Sequence, residues 1–242
     1  MTKVLELGRV AGVFRYPVKS MRGESLGSGD VGWTGFAGDR QYAFFKTANK
    51  SRFPWLTGRD VPELVLGRAA YDGPETPRTS AVRVTMPDGM VYDIAAPALR
   101  ARLCEAAGDD VAVLQVGRGT FDSMPISVVG HGTLDAIGLA FGQPVHPGRF
   151  RPNIVVDRGR ESDWIGESLI FGDPAVGPRL RVCKPIERCS MITLDPETAQ
   201  RAPALLRTVV EEFNNEVGVY CTPERLGAIA VGDRVWMAQD QR

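Results

Sequence analysis

The sequence predicts a mainly β protein with a few helices, an α+β fold, and three observations support this class. Short segments rich in β-branched and aromatic residues recur along the chain. The 27 glycines and 17 prolines among 242 residues exceed the average share of globular proteins, so turns are frequent. Helical spacing of apolar residues occurs in only a few short segments.

In the first half, strands are predicted at residues 10–18, 41–46, 82–86, 90–94 and 111–116. Pro87, Asp88 and Gly89 separate the third and fourth of these, which predicts a hairpin. A helix is expected over residues 97–107, because Pro97 suits its first turn and Gly108 its end. This half therefore resembles a β-meander or barrel.

In the second half, strands are predicted at residues 126–129, 153–156, 168–171, 181–186 and 191–194, with two more in residues 228–236 joined by a Gly-Asp turn. Residues 133–141 have the spacing of a short amphipathic helix, and a second helix with an apolar face is predicted to end near Asn214. A boundary is placed near Gly117, giving domains at residues 1–116 and 117–242.

Composition excludes several classes of function. The 29 basic and 29 acidic residues leave zero net charge, so no nucleic-acid polymer is expected as a partner. No apolar run approaches the roughly 18 residues of a membrane span, and charges interrupt the first twenty residues where a signal peptide would be apolar. The four cysteines form no CxxC pair and only two histidines occur, so a zinc site is not expected. We expect reduced thiols and a cytoplasmic location.

Cys189 follows Arg188 at the predicted edge of a strand, where an adjacent cation favours the reactive thiolate. The alternative is a buried inert thiol, which is the interpretation given to Cys104, Cys183 and Cys221.

Three further cations in turn contexts form, together with Arg188, a second candidate group. Arg151 and Asn153 lie two residues apart at a strand entry, so their side chains are expected on one face, where they suit a phosphate or a heterocycle. Lys19 and Arg40 lie beside turn formers and small hydroxyls. For each of these residues, an ordinary surface charge remains the alternative.

His131 is interpreted as a structural or helix-entry residue rather than a base. The four tryptophans, at positions 33, 55, 164 and 236, are expected in the core or between domains.

Taken together, several motifs resemble the MOSC family, the molybdenum cofactor sulfurase C-terminal domain proteins, in the branch with an N-terminal β-barrel domain. The resemblance covers nearly the whole chain. Its motifs are Tyr16-Pro17-Val18-Lys19-Ser20, Gly38-Asp39-Arg40, Phe150-Arg151-Pro152-Asn153-Ile154-Val155, Glu187-Arg188-Cys189, Thr193-Leu194-Asp195-Pro196, Gly218-Val219-Tyr220 and residues 227–233.

The resemblance implies an N-terminal β-barrel-like domain followed by a MOSC β-barrel domain, with a molybdenum cofactor held between them. In relatives similar to the mitochondrial amidoxime-reducing component, the motif cysteine is the thiolate ligand of molybdenum, and this position is Cys189 here. Positions that match cofactor contacts are Lys19, Ser20, Arg40, Ser123, Met124, Arg151, Asn153, Glu187, Arg188 and Tyr220.

Two of these positions depart from the family pattern. Met124 replaces a common serine, so that only its backbone would contact the cofactor. Glu187 replaces a small polar residue and brings a negative charge close to an anionic ligand. Three outcomes are expected: the glutamate points away from the cofactor, it pairs with an arginine, or this protein binds the cofactor differently from its relatives.

The implied activity is reduction of small N-hydroxylated compounds such as amidoximes, hydroxylamines and N-hydroxylated bases. No flavin, haem or iron–sulfur motif occurs in the sequence, so a separate flavoprotein or iron–sulfur reductase is expected to deliver electrons. Two alternatives stay open: a sulfurtransferase carrying a persulfide on Cys189, and a non-catalytic carrier of the cofactor.

Overall fold

A computed structural model describes residues 3–239, in which strands predominate. The strands are β1 (Lys3–Arg15), β2 (Glu24–Leu26), β3 (Ser28–Gly32), β4 (Gly35–Phe36), β5 (Tyr42–Lys46), β6 (Arg68–Tyr71), β7 (Val82–Thr85), β8 (Val91–Asp93), β9 (Val111–Gln115), β10 (Ile126–Gly130), β11 (Ile154–Val156), β12 (Ser168–Phe171), β13 (Arg179–Glu187), β14 (Glu216–Arg225), β15 (Gly227–Ala230) and β16 (Arg234–Gln239). The α-helices are α1 (Pro97–Ala107), α2 (His131–Phe141) and α3 (Pro203–Glu212). The predicted class, mainly β with a few helices, is confirmed.

Seven strands close into a barrel in the order β11, β10, β14, β13, β12, β16 and β1, and β1 then pairs with β11. The first part of β1 pairs with β16 and a later part with β11. Register shifts at Glu6/Gly8 and Val10/Gly12 mark irregularities of the kind that bend a strand from one partner to the next. Closure removes the exposed edges that an open sheet would leave. The barrel core is apolar and includes Val13, Ile126 and Leu169, all with no exposed surface.

Three short sheets lie beside the barrel. β6-β7-β8 and β5-β9 come from the first half of the chain, whereas β15-β3-β4 includes β15 from the last part of the chain. The predicted hairpin is confirmed, since β7 and β8 pair across the turn and Met86 N–H donates to Met90 O at 2.9 Å. A second core forms here, in which Leu99 and Leu103 of α1 lie against Phe44 and Leu64. The predicted bounds of α1 are also confirmed, and Gly108 ends the helix in the left-handed conformation at φ 61°.

One predicted strand, residues 191–194, is wrong. Residues Ser190–Thr193 form a 3-10 turn instead. Thr193 Oγ1 donates to Ser190 O at 2.7 Å, and Leu194 N–H donates to Met191 O at 3.1 Å. A hydroxyl that bonds the local backbone competes with a strand ladder, and here it outweighs the β preference of the isoleucine and threonine.

Other boundaries differ in ways that reach the functional site. β1 ends at Arg15 rather than at position 18, so Lys19 follows in a loop. β14 was not predicted, because Gly218 and Pro223 interrupt its pattern, yet it lies in the barrel between β10 and β13. α2 begins at His131, which confirms the helix-entry position of that residue.

The tryptophans divide between interior and surface. Trp164 is buried as expected, whereas Trp33 is 66% exposed at the β3–β4 turn and the core prediction is wrong for it. None of the helices within residues 3–239 has the length and apolar character that crossing a membrane requires.

Candidate functional site

A cavity of about 470 Å³ opens between the loops after β1, the segment near Arg40, the loop before β11 and the end of β13. All but one of the predicted site residues line it. These are Lys19, Ser20, Arg40, Met124, Arg151, Asn153, Glu187, Arg188, Cys189 and Tyr220. The exception is Ser123, which is exposed and lies outside the lining. The structure thus brings together motifs that are widely separated in the sequence.

The backbone is strained where it lines this cavity. Ser20, Arg40 and Arg151 adopt left-handed conformations, with φ of 67°, 50° and 53°. Each such residue costs about 1–3 kcal/mol and persists only where its surroundings hold it. For Arg40 those surroundings are visible, because its N–H donates to Tyr16 O at 2.6 Å and its carbonyl accepts from Thr120 N–H at 2.7 Å. Strain of this kind concentrated in one cavity is typical of a functional site.

Tyr16 contacts two of the cations. The central carbons of the Arg40 and Arg151 guanidinium groups are 4.6 and 4.3 Å from the centroid of its ring. The phenol donates to Pro152 O at 3.1 Å, and burial raises its pKa to about 12, so it stays neutral at physiological pH. Tyr16 is the first residue of the Tyr16–Ser20 motif, but residue spacing alone assigns it no role.

Two of the four cations have carboxylate partners. Lys19 Nζ lies 2.7 Å from Asp122 Oδ1 and donates to Thr120 O at 2.8 Å. Burial nevertheless lowers the pKa of Lys19, and Asp122 opposes that shift. Arg40 pairs with the buried carboxylate of Asp39. Burial opposes the charged guanidinium, but Asp39 together with Tyr16 and Asp122 offsets this effect, so the pKa of Arg40 is raised.

The other two cations, Arg151 and Arg188, form no ion pair within residues 3–239. Arg151 Nη1 donates to Met21 O at 2.5 Å, while its Nη2 is buried without any hydrogen-bond partner. Arg188 donates to Val217 O and, at 3.0 Å, to Phe150 O. Burial lowers the pKa of both residues to about 10, which leaves them cationic at neutral pH. Two half-buried charges without counter-ions favour an anionic ligand in the cavity.

Cys189 lies on the wall of the same cavity, directly after β13, and is exposed. Cys221 is fully buried, and burial raises the pKa of its thiol far above the usual range, as expected for an inert cysteine. Cys104 and Cys183 are half-buried, so the expectation of full burial is wrong for them.

We therefore expect Cys189 to react first with a thiol reagent such as Ellman's reagent. The fast phase of the reaction should disappear in Cys189→Ala, because exposure controls access to the sulfur. Cys221 should react only after denaturant is added. A fast phase that persists in Cys189→Ala would show that another cysteine is the accessible thiol.

Arg151 and Asn153 both line the cavity, but strand alternation is not the reason. Arg151 is left-handed and precedes β11, so it is not part of the ladder. The Asn153 side chain is occupied by the protein, since its Oδ1 accepts from Ser127 N and Oγ at 3.1 Å and its Nδ2 donates to Phe14 O at 3.2 Å. Asn153 therefore ties β10 to β1 beneath the cavity floor.

The rim contains residues that sequence reasoning missed. The ring of Phe53 contacts both Lys19 and Arg59, whose charged groups are 5.6 and 5.2 Å from its centroid. Arg149 pairs with Asp195 at 2.8 Å. These residues belong to loops and turns whose place at the rim is set by the tertiary fold, and no local pattern marks them. Glu187 is exposed at the cavity and forms no ion pair among the described residues, so it does not neutralise either unpaired arginine.

The donor set limits how a metal would be held. Within residues 3–239, no group of three or more His, Cys, Asp or Glu side chains is placed to bind a metal ion. The cavity offers one thiol, so a metal there would need its other ligands from a cofactor. A cofactor with sulfur ligands and an anionic tail fits this combination of one thiol and two unpaired guanidinium groups.

Comparison with known proteins gives matches along the chain. Residues 115–236 match the MOSC domain, and residues 7–117 match the MOSC N-terminal beta barrel domain. Molybdenum cofactor sulfurase from Drosophila grimshawi is 36% identical over 87 residues, which cover 34% of this chain and 11% of that protein. The matched segment is therefore a small part of that relative.

Two solved structures are similar in backbone. The YuaD protein from Bacillus subtilis aligns over 100% of both chains, with a TM-score of 0.52 and 18% identity. YiiM from Geobacillus stearothermophilus aligns over 48% of this chain and 54% of its own, with a TM-score of 0.38 and 18% identity. The first of these supports a common fold. Since the MOSC match covers half of the chain and the N-terminal barrel match covers most of the rest, this protein belongs to the MOSC domain family.

Proposed function

We propose that this protein binds the molybdenum cofactor in the cavity and reduces small N-hydroxylated compounds, with Cys189 as the thiolate ligand of the metal. The observation that carries the proposal is the presence, in one cavity, of an exposed thiol and two half-buried arginines that lack carboxylate partners. Membership of the MOSC domain family supports the cofactor. The substrate class rests on the resemblance of the motifs.

The charges of the cavity match such a ligand. A terminal phosphate carries about −1.5 to −2 charges at pH 7, and two guanidinium groups compensate that charge. The unpartnered Nη2 of Arg151 is a donor that an oxygen of the ligand would satisfy. Because Lys19 and Arg40 are already paired, they shape the cavity and add little net charge.

Each residue then has a defined task. Arg151 and Arg188 hold the anionic tail, and the Tyr16 ring supports the guanidinium groups of Arg40 and Arg151 through cation–π contacts. Tyr220 lines the cavity with its phenol protonated, because burial raises its pKa, so it acts as a hydrogen-bond donor. Cys189 supplies one sulfur ligand. When bound, the cofactor supplies two-electron redox chemistry that no amino-acid side chain provides.

The rim and the electron source complete the proposal. Phe53, Arg59 and Glu187 form an exposed, mixed-charge opening suited to a small polar substrate. Electrons come from a separate flavoprotein or iron–sulfur reductase, and the protein works in the cytoplasm, where its thiols stay reduced.

A second candidate is sulfur transfer. The exposed thiol of Cys189 supports it, together with the name of the Drosophila grimshawi relative. In this case the Cys189 thiolate would accept a sulfane sulfur from a persulfide donor, which leaves as the thiolate, and Cys189 would pass that sulfur on.

Expression in a host that makes the cofactor tests both candidates. We expect close to one molybdenum atom and one pterin for each chain, and turnover of an amidoxime with reduced viologen as the electron donor. Cyanide-labile sulfur without molybdenum would support sulfur transfer instead. Bound cofactor without turnover would identify a carrier, and absence of both cofactor and labile sulfur would exclude all three functions.

A further inference from the structure

Glu161 is a buried carboxylate outside the cavity, on the far side of its wall. It begins the 3-10 turn Glu161–Trp164 and is 3% exposed. Its Oε2 accepts from Gly130 N–H at 3.0 Å and from Thr133 Oγ1 at 2.6 Å, at the start of α2. Its Oε1 accepts from Gly218 N–H of β14 at 2.6 Å. The carboxylate is therefore fully engaged by three donors, none of which belongs to the proposed cofactor site.

The peptide group that Glu161 binds through Gly218 also binds Arg188. The N–H of Gly218 and the carbonyl of Val217 belong to one planar peptide group, and in a trans peptide they point in opposite directions. Glu161 binds the N–H side of this peptide. Arg188 binds the carbonyl side, with Nε at 2.7 Å and Nη2 also in contact. One rigid peptide thus joins a buried carboxylate to a half-buried guanidinium.

Residue 218 must be glycine for this arrangement. Its φ is 79°, and a Cβ there would lie 2.9 Å from Arg188 Nη2 and 3.1 Å from Val128 O. A side chain would push the guanidinium away from the peptide carbonyl. The glycine therefore allows the close approach that Glu161 stabilises from the other side.

We propose that Glu161 is a positioning residue, which fixes the Val217–Gly218 peptide and thereby the orientation of Arg188 toward the cavity. The carboxylate also polarises the peptide so that its carbonyl is a stronger acceptor for the guanidinium. The importance of Arg188 for the cofactor rests on the proposed function, whereas its attachment to Glu161 rests on the geometry alone.

The test is the hydrogen exchange of the Arg188 Nε–H, followed by NMR on the 15N-labelled full chain and assigned by its loss in Arg188→Lys. In Glu161→Gln the side chain has the same size but no charge. We expect the Arg188 Nε–H to exchange at least about tenfold faster, the change that loss of one such hydrogen bond brings. The Arg15 Nε–H, which binds Glu24 at 2.7 Å in another part of the protein, should be unchanged. Unchanged exchange at Arg188 would overturn the proposal.

Two further variants keep the test decisive. Glu216→Gln removes a carboxylate close to the same turn that does not bind the Gly218 amide, and it should leave Arg188 protected. If Glu161→Gln does not fold, Glu161→Asp keeps the charge but shortens the side chain, and it should still accelerate exchange at Arg188 more than at Arg15.

Cofactor content separates this inference from the proposed function. If Glu161 acts through Arg188, Glu161→Gln should lower molybdenum content in the wild-type background but add nothing in the Arg188→Lys background. Losses that add in the double variant would show a general structural role and overturn the inference. Absence of cofactor from every variant, with faster Arg188 exchange in Glu161→Gln, would reject the proposed function and support the positioning role.

Discussion

Reduction of an amidoxime by Cys189→Ala is expected to fall by more than about 100-fold relative to the wild-type protein. Loss of groups that merely support metal ligands costs about 10–100-fold, so loss of the one thiolate that the cavity offers should cost more. The measurement is the initial rate with reduced viologen as the donor, normalised to the molybdenum content of each preparation. This normalisation distinguishes a defect in the reaction from a defect in loading.

The fold should tolerate this change. Cys189 is exposed, and the contact that orders the next turn is its backbone carbonyl, which accepts from Ile192 N–H at 3.2 Å. We expect the free energy of unfolding to change by no more than about 0.5 kcal/mol. Cys183→Ala is the matched control, since Cys183 is half-buried on β13 and does not line the cavity. Equal rates in Cys189→Ala and Cys183→Ala would reject the assignment of Cys189 as a ligand.

Local patterns predicted most elements of the fold because turn formers delimit them. The hairpin β7–β8 and the helix α1 have Pro87, Gly89, Pro97 and Gly108 at their ends, and each of these residues constrains the backbone independently of its surroundings. Closure of the barrel could not be predicted in this way. β1 pairs with β16 and β11, which lie far from it in the sequence, and such pairing depends on non-local packing that a local periodicity does not encode.

The candidate site, like the fold, was predictable only in part. Turn contexts single out residues such as Lys19, Arg40 and Cys189, and the resemblance to the family assigns them to one site. The structure brings them to one cavity. Their pairing was not predictable. Asp122 neutralises Lys19 and Asp39 neutralises Arg40, while Arg151 and Arg188 have no such partner, and only the tertiary fold decides which carboxylate reaches which cation.

Selective pairing explains how a protein with zero net charge forms a positive cavity. Formal charge counts every ionised residue equally, whereas a buried charge without a partner interacts through a medium of lower dielectric constant and is poorly screened. Arg151 and Arg188 are only two of the 29 basic residues. Each of them nevertheless contributes more to the electrostatic potential of the cavity than an exposed, screened arginine does.

Replacing Arg151 by methionine is expected to lower molybdenum and pterin content at least about tenfold, the effect of losing a charge-assisted hydrogen bond to a phosphate. Methionine preserves the aliphatic bulk and, like arginine, carries a Cβ, so the strain at φ 53° is similar in both proteins. Both contents are measured by elemental analysis and pterin fluorescence after denaturation. Arg151→Lys should retain more cofactor than the methionine variant, because it keeps the charge but loses the planar fork of donors.

The stability of the cofactor-free protein should not fall in Arg151→Met, although the cofactor content does. Burial lowers the pKa of Arg151 to about 10, which means that its charged form is disfavoured in the folded protein, and its Nη2 has no partner. Removing that charge should leave the free energy of unfolding at pH 7 unchanged or higher, because the cost of burying an uncompensated cation disappears. Arg158→Met changes a surface arginine whose side chain is 73% exposed and should alter neither quantity. A residue whose role is to bind the cofactor lowers the stability of the cofactor-free protein and raises the stability of the cofactor-bound protein. A marked loss of stability in Arg151→Met with unchanged cofactor content would therefore identify Arg151 as a structural residue.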